Sequence, residues 1–215
     1  MQLDLLNEYL TKFKVERSED KWISFYEAVD NFQTNWDLQA DDLVQMYNTS
    51  LHSMHSRRWW NREAFEPKRV MLAFMKLEPD FCKHAFRDLF DETKTIDGRV
   101  ERFVFYCGEL LDLLKESSPK SKIRSHYHDK EYQMPFLYLA LKYPHQYAPY
   151  DFEGFCQFLG KVGSRQIPPT HDLERYPKVI KTLSNMLNKE EISSPYPGML
   201  VYEFISFVTG RDFPL

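Results

Sequence analysis

Six consecutive residues, Arg57, Arg58, Trp59, Trp60, Asn61 and Arg62, hold the side chains that contact with nucleic acid requires. An arginine fork grips phosphate, a tryptophan face accepts a stacked base, and an asparagine can read a base edge. The competing reading is a linker anchored by one tryptophan, with its arginines paired to Glu63 and Glu66. A second cationic stretch sets Lys115, Lys120, Lys122, Arg124 and Lys130 against only Glu116 and Asp129. Within it, Lys120, Lys122 and Arg124 are candidate phosphate contacts.

The same stretch contains His126-Tyr127-His128-Asp129, the one cluster with metal-ligand chemistry. Two imidazoles spaced H-x-H can face one ion, but a working site needs further ligands and groups to orient them. His145 and His171 are the nearest other histidines, and nothing in the sequence brings either close. The expectation is therefore local hydrogen bonding by His126 and His128, with no stoichiometric metal and no cofactor. Gly154 to Val162 has the look of a phosphate-binding loop, yet five residues separate Gly154 from Gly160, and Val162 stands where magnesium needs a hydroxyl. The segment reads better as an amphipathic helix. Nothing resembling H-E-x-x-H, G-x-S-x-G or a recognisable Cys/His spacing occurs.

The elements that would carry these residues read as helices. Leu3, Leu6, Leu10 and Phe13 recur at helical spacing. Ser18 is a candidate cap for a second helix striped by Trp22, Phe25, Tyr26, Val29 and Phe32, and a third runs from about Leu38 to Leu51. Pro67 and Pro79 each fit a first helical turn, and Val100, Phe103, Val104, Cys107, Leu110, Leu111 and Leu114 make the longest stripe. Pro135 opens a further helix, Asp151 can cap the next and Gly163 can end it. Thr170 is a candidate cap for a helix that Pro177 should kink or restart. Nine aromatics between Tyr132 and Phe158 are a heavy core or a platform for flat ligands.

Only seven glycines in 215 residues argue against an all-β sandwich with its frequent turns. The expected fold is all-α, an irregular bundle of about nine to ten helices, with a small subdomain over 1–55 and a main domain over 56–215. A net charge of −4 excludes a uniformly basic nucleic-acid coat, leaving room only for local basic patches. Cys82, Cys107 and Cys156 are an odd, widely spaced set, read as buried, reduced, unbridged thiols. With no long apolar run and acids near the N-terminus, the expected setting is the cytoplasm, away from membranes.

Five segments carry a family resemblance: Arg102 to Cys107 (RFVFYC), Ser125 to Asp129 (SHYHD), Tyr138 to Pro144 (YLALKYP), Tyr147 to Phe152 (YAPYDF) and Ile167 to Arg175 (IPPTHDLER). From about Phe65 to Leu187 the chain resembles the helical N-terminal region of bacterial McrB-type AAA+ proteins, the GTP-driven motors of modified-cytosine restriction. The resemblance implies a recognition or adaptor domain beside an AAA+ motor in the same or a neighbouring chain, with DNA, carrying a modified or flipped base, as ligand. It implies no enzyme here, because the motor's nucleotide-binding motifs are absent from this sequence. The second reading is a protein-interaction or self-association module using Tyr143, Tyr147 and Tyr150. The third is a metal-dependent enzyme centred on His126 and His128.

Overall fold

The computed structural model describes residues 1–18, 23–52 and 66–211. Among them are ten α-helices and no strand, 67% of the residues being helical, which is the all-α bundle expected. Helix α1 (Leu3–Glu16) buries Leu6, Leu10 and Phe13, while Leu3, expected on the same stripe, is exposed. Helix α2 (Ile23–Asn35) buries Phe25, Val29 and Phe32 at helical spacing. Helix α3 (Leu43–Ser50) is shorter than the sequence pattern suggested. Asp42 accepts a hydrogen bond from the Gln45 amide at 2.9 Å, and this cap fixes the start.

Helix α4 (Glu66–Leu77) carries Pro67 as its second described residue, and α5 (Pro79–Leu89) begins at Pro79 as expected, since a first-turn residue has no intrahelical use for its amide hydrogen. Helix α6 (Ile96–Ser117), the longest, starts at a Thr95 cap and packs mainly against α5 and α4. A single 3₁₀ turn (Lys130–Tyr132) leads into α7 (Gln133–Lys142), in which every residue from Gln133 to Leu141 is buried. A helix apolar on all sides has to be enclosed by others, and α7 is the strut around which the middle of the bundle forms.

Helix α8 (Phe152–Lys161) contains Gly154 through Gly160, so their amides serve the helix and not a phosphate. Gly163 takes φ +63° just past its end, and the Ser164 amide returns to the Leu159 carbonyl at 2.8 Å. That is the glycine stop expected there. Helix α9 (Arg175–Lys189) begins later than a Thr170 cap would allow. The Asp172 carboxylate accepts from the Arg175 amide at 2.9 Å, so Pro177 falls in the first turn and breaks nothing. Helix α10 (Pro197–Thr209) is the second central strut, buried from Gly198 to Ser206.

One hydrophobic cluster runs from Leu6 to Val208. Helix α1 docks on α10, with the Phe13 ring 5.2 Å from Phe204, and α2 packs on α7. The first three helices thus share the core of the rest, and the boundary expected near residue 55 lies outside the described residues. Cys82 and Cys107 are buried free thiols as expected, whereas Cys156 is half-buried, on the outer flank of α8.

Candidate functional site: a cationic strap over a buried His–Cys cluster

Between the end of α6 and the 3₁₀ turn the chain runs as a strap without helix, from Ser118 to Asp129. It opens with a turn at 119–120, closed by the Ser121 amide on the Ser118 carbonyl at 2.8 Å. Lys120 in this turn is exposed, and beyond it Ile123 is buried between the exposed Lys122 and Arg124, as alternation along an extended segment requires. The Arg124 guanidinium donates to the carbonyl of Ser121 at 2.7 Å, which holds the strap in its curve. None of the three makes an ion pair among the described residues, whereas Lys115, just before the strap, is engaged by Asp112 at 3.0 Å. Of the sequence-predicted contacts, Lys120, Lys122 and Arg124 are exposed on the strap; Arg57, Arg58, Trp59, Trp60 and Arg62 lie outside the described residues.

The far end of the strap turns inward. His126 is 8% exposed and His128 fully buried, and Tyr127 between them takes φ +61°. That left-handed conformation is costly for an aromatic residue, and it curls the strap so that both imidazoles enter the interior. The His128 amide donates to His126 Nδ1 at 3.1 Å, and His128 Nδ1 lies 2.6 Å from the His126 carbonyl. A carbonyl accepts only, so Nδ1 carries the proton and Nε2 of His128 presents a lone pair. At 3.1 Å from that lone pair lies the hydroxyl of Tyr138 on α7, and 2.6 Å further the hydroxyl of Tyr47 on α3.

The local hydrogen bonding expected of the two histidines is present. What sequence reasoning missed is Cys107. One donor atom from each of Cys107, His126 and His128 lies within 4.8 Å of the others, and all three residues are buried. Cys107 sits one helical turn beyond Phe103 on the inner face of α6, where it scans as another apolar position of the stripe. Its partners come from a strap whose path the sequence does not encode locally. Burial pushes the His128 pKa down to about 3, lowers that of His126, and raises the Cys107 thiol and the Tyr138 phenol well above their ordinary values. At neutral pH the protein groups of this cluster are uncharged.

The aromatic run from Tyr132 to Phe158 is largely core. Tyr150 and Tyr147 are buried and Tyr143 is half-buried, its hydroxyl donating to the Phe90 carbonyl at 2.8 Å. The surface expected from these three tyrosines is therefore not there to dock a partner. Beside them lies Arg99, 1% exposed, which donates to the Tyr147 hydroxyl and whose Nε and Nη1 find no hydrogen-bond partner among the described residues. An open cleft of about 760 Å³ is lined by Asp97 and Glu101 on α6 and by His171, Asp172, Glu174 and Arg175. His171 is held there by the Tyr150 hydroxyl at 3.2 Å and is not among the residues clustered with His126 and His128. No helix of the described residues is long and apolar enough to cross a membrane.

No family model, no curated protein and no solved structure matches this chain.

Proposed function

We propose that the chain is a non-catalytic DNA-recognition module. The observation that carries this reading is the strap: Lys120, Lys122 and Arg124 are close in sequence, exposed, and free of acidic partners among the described residues. Two residues of extended chain advance about 6.6 Å, the spacing of Lys122 and Arg124 along the strap, and Lys120 adds a third exposed charge from the turn before them, so that together they can meet a phosphate backbone. Arg57, Arg58 and Arg62 would add phosphate contacts, and Trp59 or Trp60 would stack on an unpaired, modified or flipped base. The acidic remainder keeps affinity modest and confines binding to these residues. In the setting of McrB-type restriction, the energy-consuming motor is a separate AAA+ domain and this module supplies target contact.

The test is anisotropy with labelled single-stranded, duplex and cytosine-modified DNA over a range of salt. The triple variant Lys120→Ala, Lys122→Ala, Arg124→Ala should lower the slope of log K against log salt by about 2 to 3, because each lost phosphate contact removes close to one released counterion. Binding by the triple variant equal to wild type, or no binding by wild type at low salt, rejects the reading.

A protein-docking role has one observation in its favour, the solvent face of α6, where Phe105 is 61% exposed and Leu113 37%. Phe105→Ser and Leu113→Ser would then disturb association while leaving DNA binding untouched.

A further inference from the structure

We propose that Cys107, His126 and His128 bind one thiophilic d¹⁰ cation, with zinc as the ion the donor set suits best. The donors are one soft sulfur and two imidazoles, already gathered within 4.8 Å and enclosed by the core. Thiolate and imidazole select zinc, cobalt or monovalent copper over magnesium and calcium, whose ligands are oxygens. The orientation of His128 is that of a metal ligand: its Nδ1 hydrogen is committed to a backbone carbonyl, which fixes the tautomer and aims Nε2 inward. The Cys107 sulfur makes no hydrogen bond among the described residues, so coordination would cost it no partner.

Coordination through His128 Nε2 displaces the hydrogen bond that Tyr138 donates there, and the freed hydroxyl is a candidate fourth donor. That hydroxyl lies 3.1 Å from His128 Nε2 and retains the Tyr47 hydroxyl as its own support. The charges also work out. On binding, the Cys107 thiol gives up its proton to solvent and the sulfur–metal bond forms, with no redox change. A thiolate, two neutral imidazoles and a divalent ion leave a charge of about +1, and the Asp129 carboxylate lies 4.0 Å from His126 Nδ1 to offset it. The ion would tie the strap to α6, and its binding stands whether or not the strap contacts DNA.

The experiment uses the full chain, reduced and stripped with chelator, titrated with cobalt and then with zinc. Wild type should take up about one equivalent of cobalt with a thiolate-to-metal charge-transfer band, lose that band to zinc, and release about one proton per ion at neutral pH. Cys107→Ser should abolish the band. His126→Ala, at the less buried ligand, should weaken zinc binding by more than the about 10- to 100-fold that even an outer hydrogen-bond partner is worth. Cys156→Ser removes a thiol outside the cluster and should behave as wild type. No charge-transfer band in the wild type, a band that survives Cys107→Ser, or zinc affinity unchanged by His126→Ala overturns the proposal. A monovalent copper complex formed in preference to zinc would keep the site and overturn the choice of ion.

Discussion

Tyr47 and Tyr138, ninety-one positions apart, set their hydroxyls 2.6 Å from each other in the centre of the core. Tyr138 is bound to the His128 Nε2 lone pair, so it must donate there and accept from Tyr47. The proton order is then fixed from α3 through α7 to the strap. A buried polar chain of this kind stabilises only when every member is satisfied.

That order makes the two tyrosines unequal. Tyr138→Phe strips the acceptor from Tyr47 and the donor from His128 together, leaving two buried groups unpaired, and should cost about 2 to 4 kcal/mol. Tyr47→Phe leaves Tyr138 still donating to His128 and should cost about 1 kcal/mol. Urea unfolding of the two single variants and the double variant checks this. Equal costs, or strictly additive ones, would mean that the hydroxyls do not act as a chain.

Asp88 on α5 should make stability fall in acid. Burial alone would raise its pKa, but hydrogen bonds from Lys94 and from Arg102 Nε, the latter at 2.6 Å, outweigh burial and hold it below the ordinary 3.8. A carboxyl whose folded pKa lies below its unfolded one stabilises above the unfolded pKa. That gain disappears as pH falls through the folded pKa. Wild type should therefore exceed Asp88→Asn in stability near neutral pH, and the gap should close as pH drops below about 4. Denaturation midpoints for both proteins across this range decide the matter, and a gap independent of pH would count against it.

The helices were legible because each rests on a local repeat: Leu6, Leu10 and Phe13, or Val100, Phe103, Cys107 and Leu114, sit on one side of a helix wherever the chain goes next. Caps were less legible. Thr170 and Asp172 are both plausible starts for α9, and only the hydrogen bond to the Arg175 amide separates them. The His–Cys cluster was half visible. His126 and His128 declare themselves by spacing, but Cys107 lies nineteen residues upstream in an apolar stripe, and only the inward curl at Tyr127 joins them. Likewise the exposure of Lys122 and Arg124 on either side of a buried Ile123 is a tertiary fact. The aromatic run was legible as apolar mass, and packing made it core because α7 is enclosed on all sides.

At the other end of the bundle, Arg17 follows α1 and binds Glu203 of α10 at 3.0 Å, with the Tyr26 hydroxyl 2.9 Å from the same guanidinium. Glu203 is 2% exposed and also accepts from the Tyr26 hydroxyl at 3.3 Å, so removing Arg17 takes one charged donor from a buried carboxylate. Arg17→Ala should destabilise the fold by about 1.5 to 3 kcal/mol, the worth of a hydrogen bond to a charged group. Thermal melting of this variant is the measurement. An Arg17→Ala protein as stable as wild type would show that the other partners of Glu203 hold it without the guanidinium.

The tightest contact in the fold predicts the sharpest loss. Gly198, in the first turn of α10, donates its amide hydrogen to the Pro144 carbonyl at 2.7 Å, and a Cβ on it would stand 1.8 Å from the Tyr147 carbonyl oxygen. Both sides of that clash are held: the Gly198 amide is bound to Pro144, and the oxygen belongs to backbone between α7 and α8 at Tyr147, whose hydroxyl is bound by the buried Arg99. No rotamer change can relieve it, so α10 must draw back from the loop and open the packing of Met199, Leu200 and Tyr202 behind it. Gly198→Ala, which would ordinarily favour a helix by up to about 1 kcal/mol, should here cost more than about 3 kcal/mol. Gly108, on α6 with open space around it, is the matched control, since nothing lies within 4 Å of its added carbon. Gly108→Ala should leave stability unchanged or raise it by up to about 1 kcal/mol. If the two variants melt together, the close approach of α10 to the 144–147 loop is not a feature of the folded protein in solution.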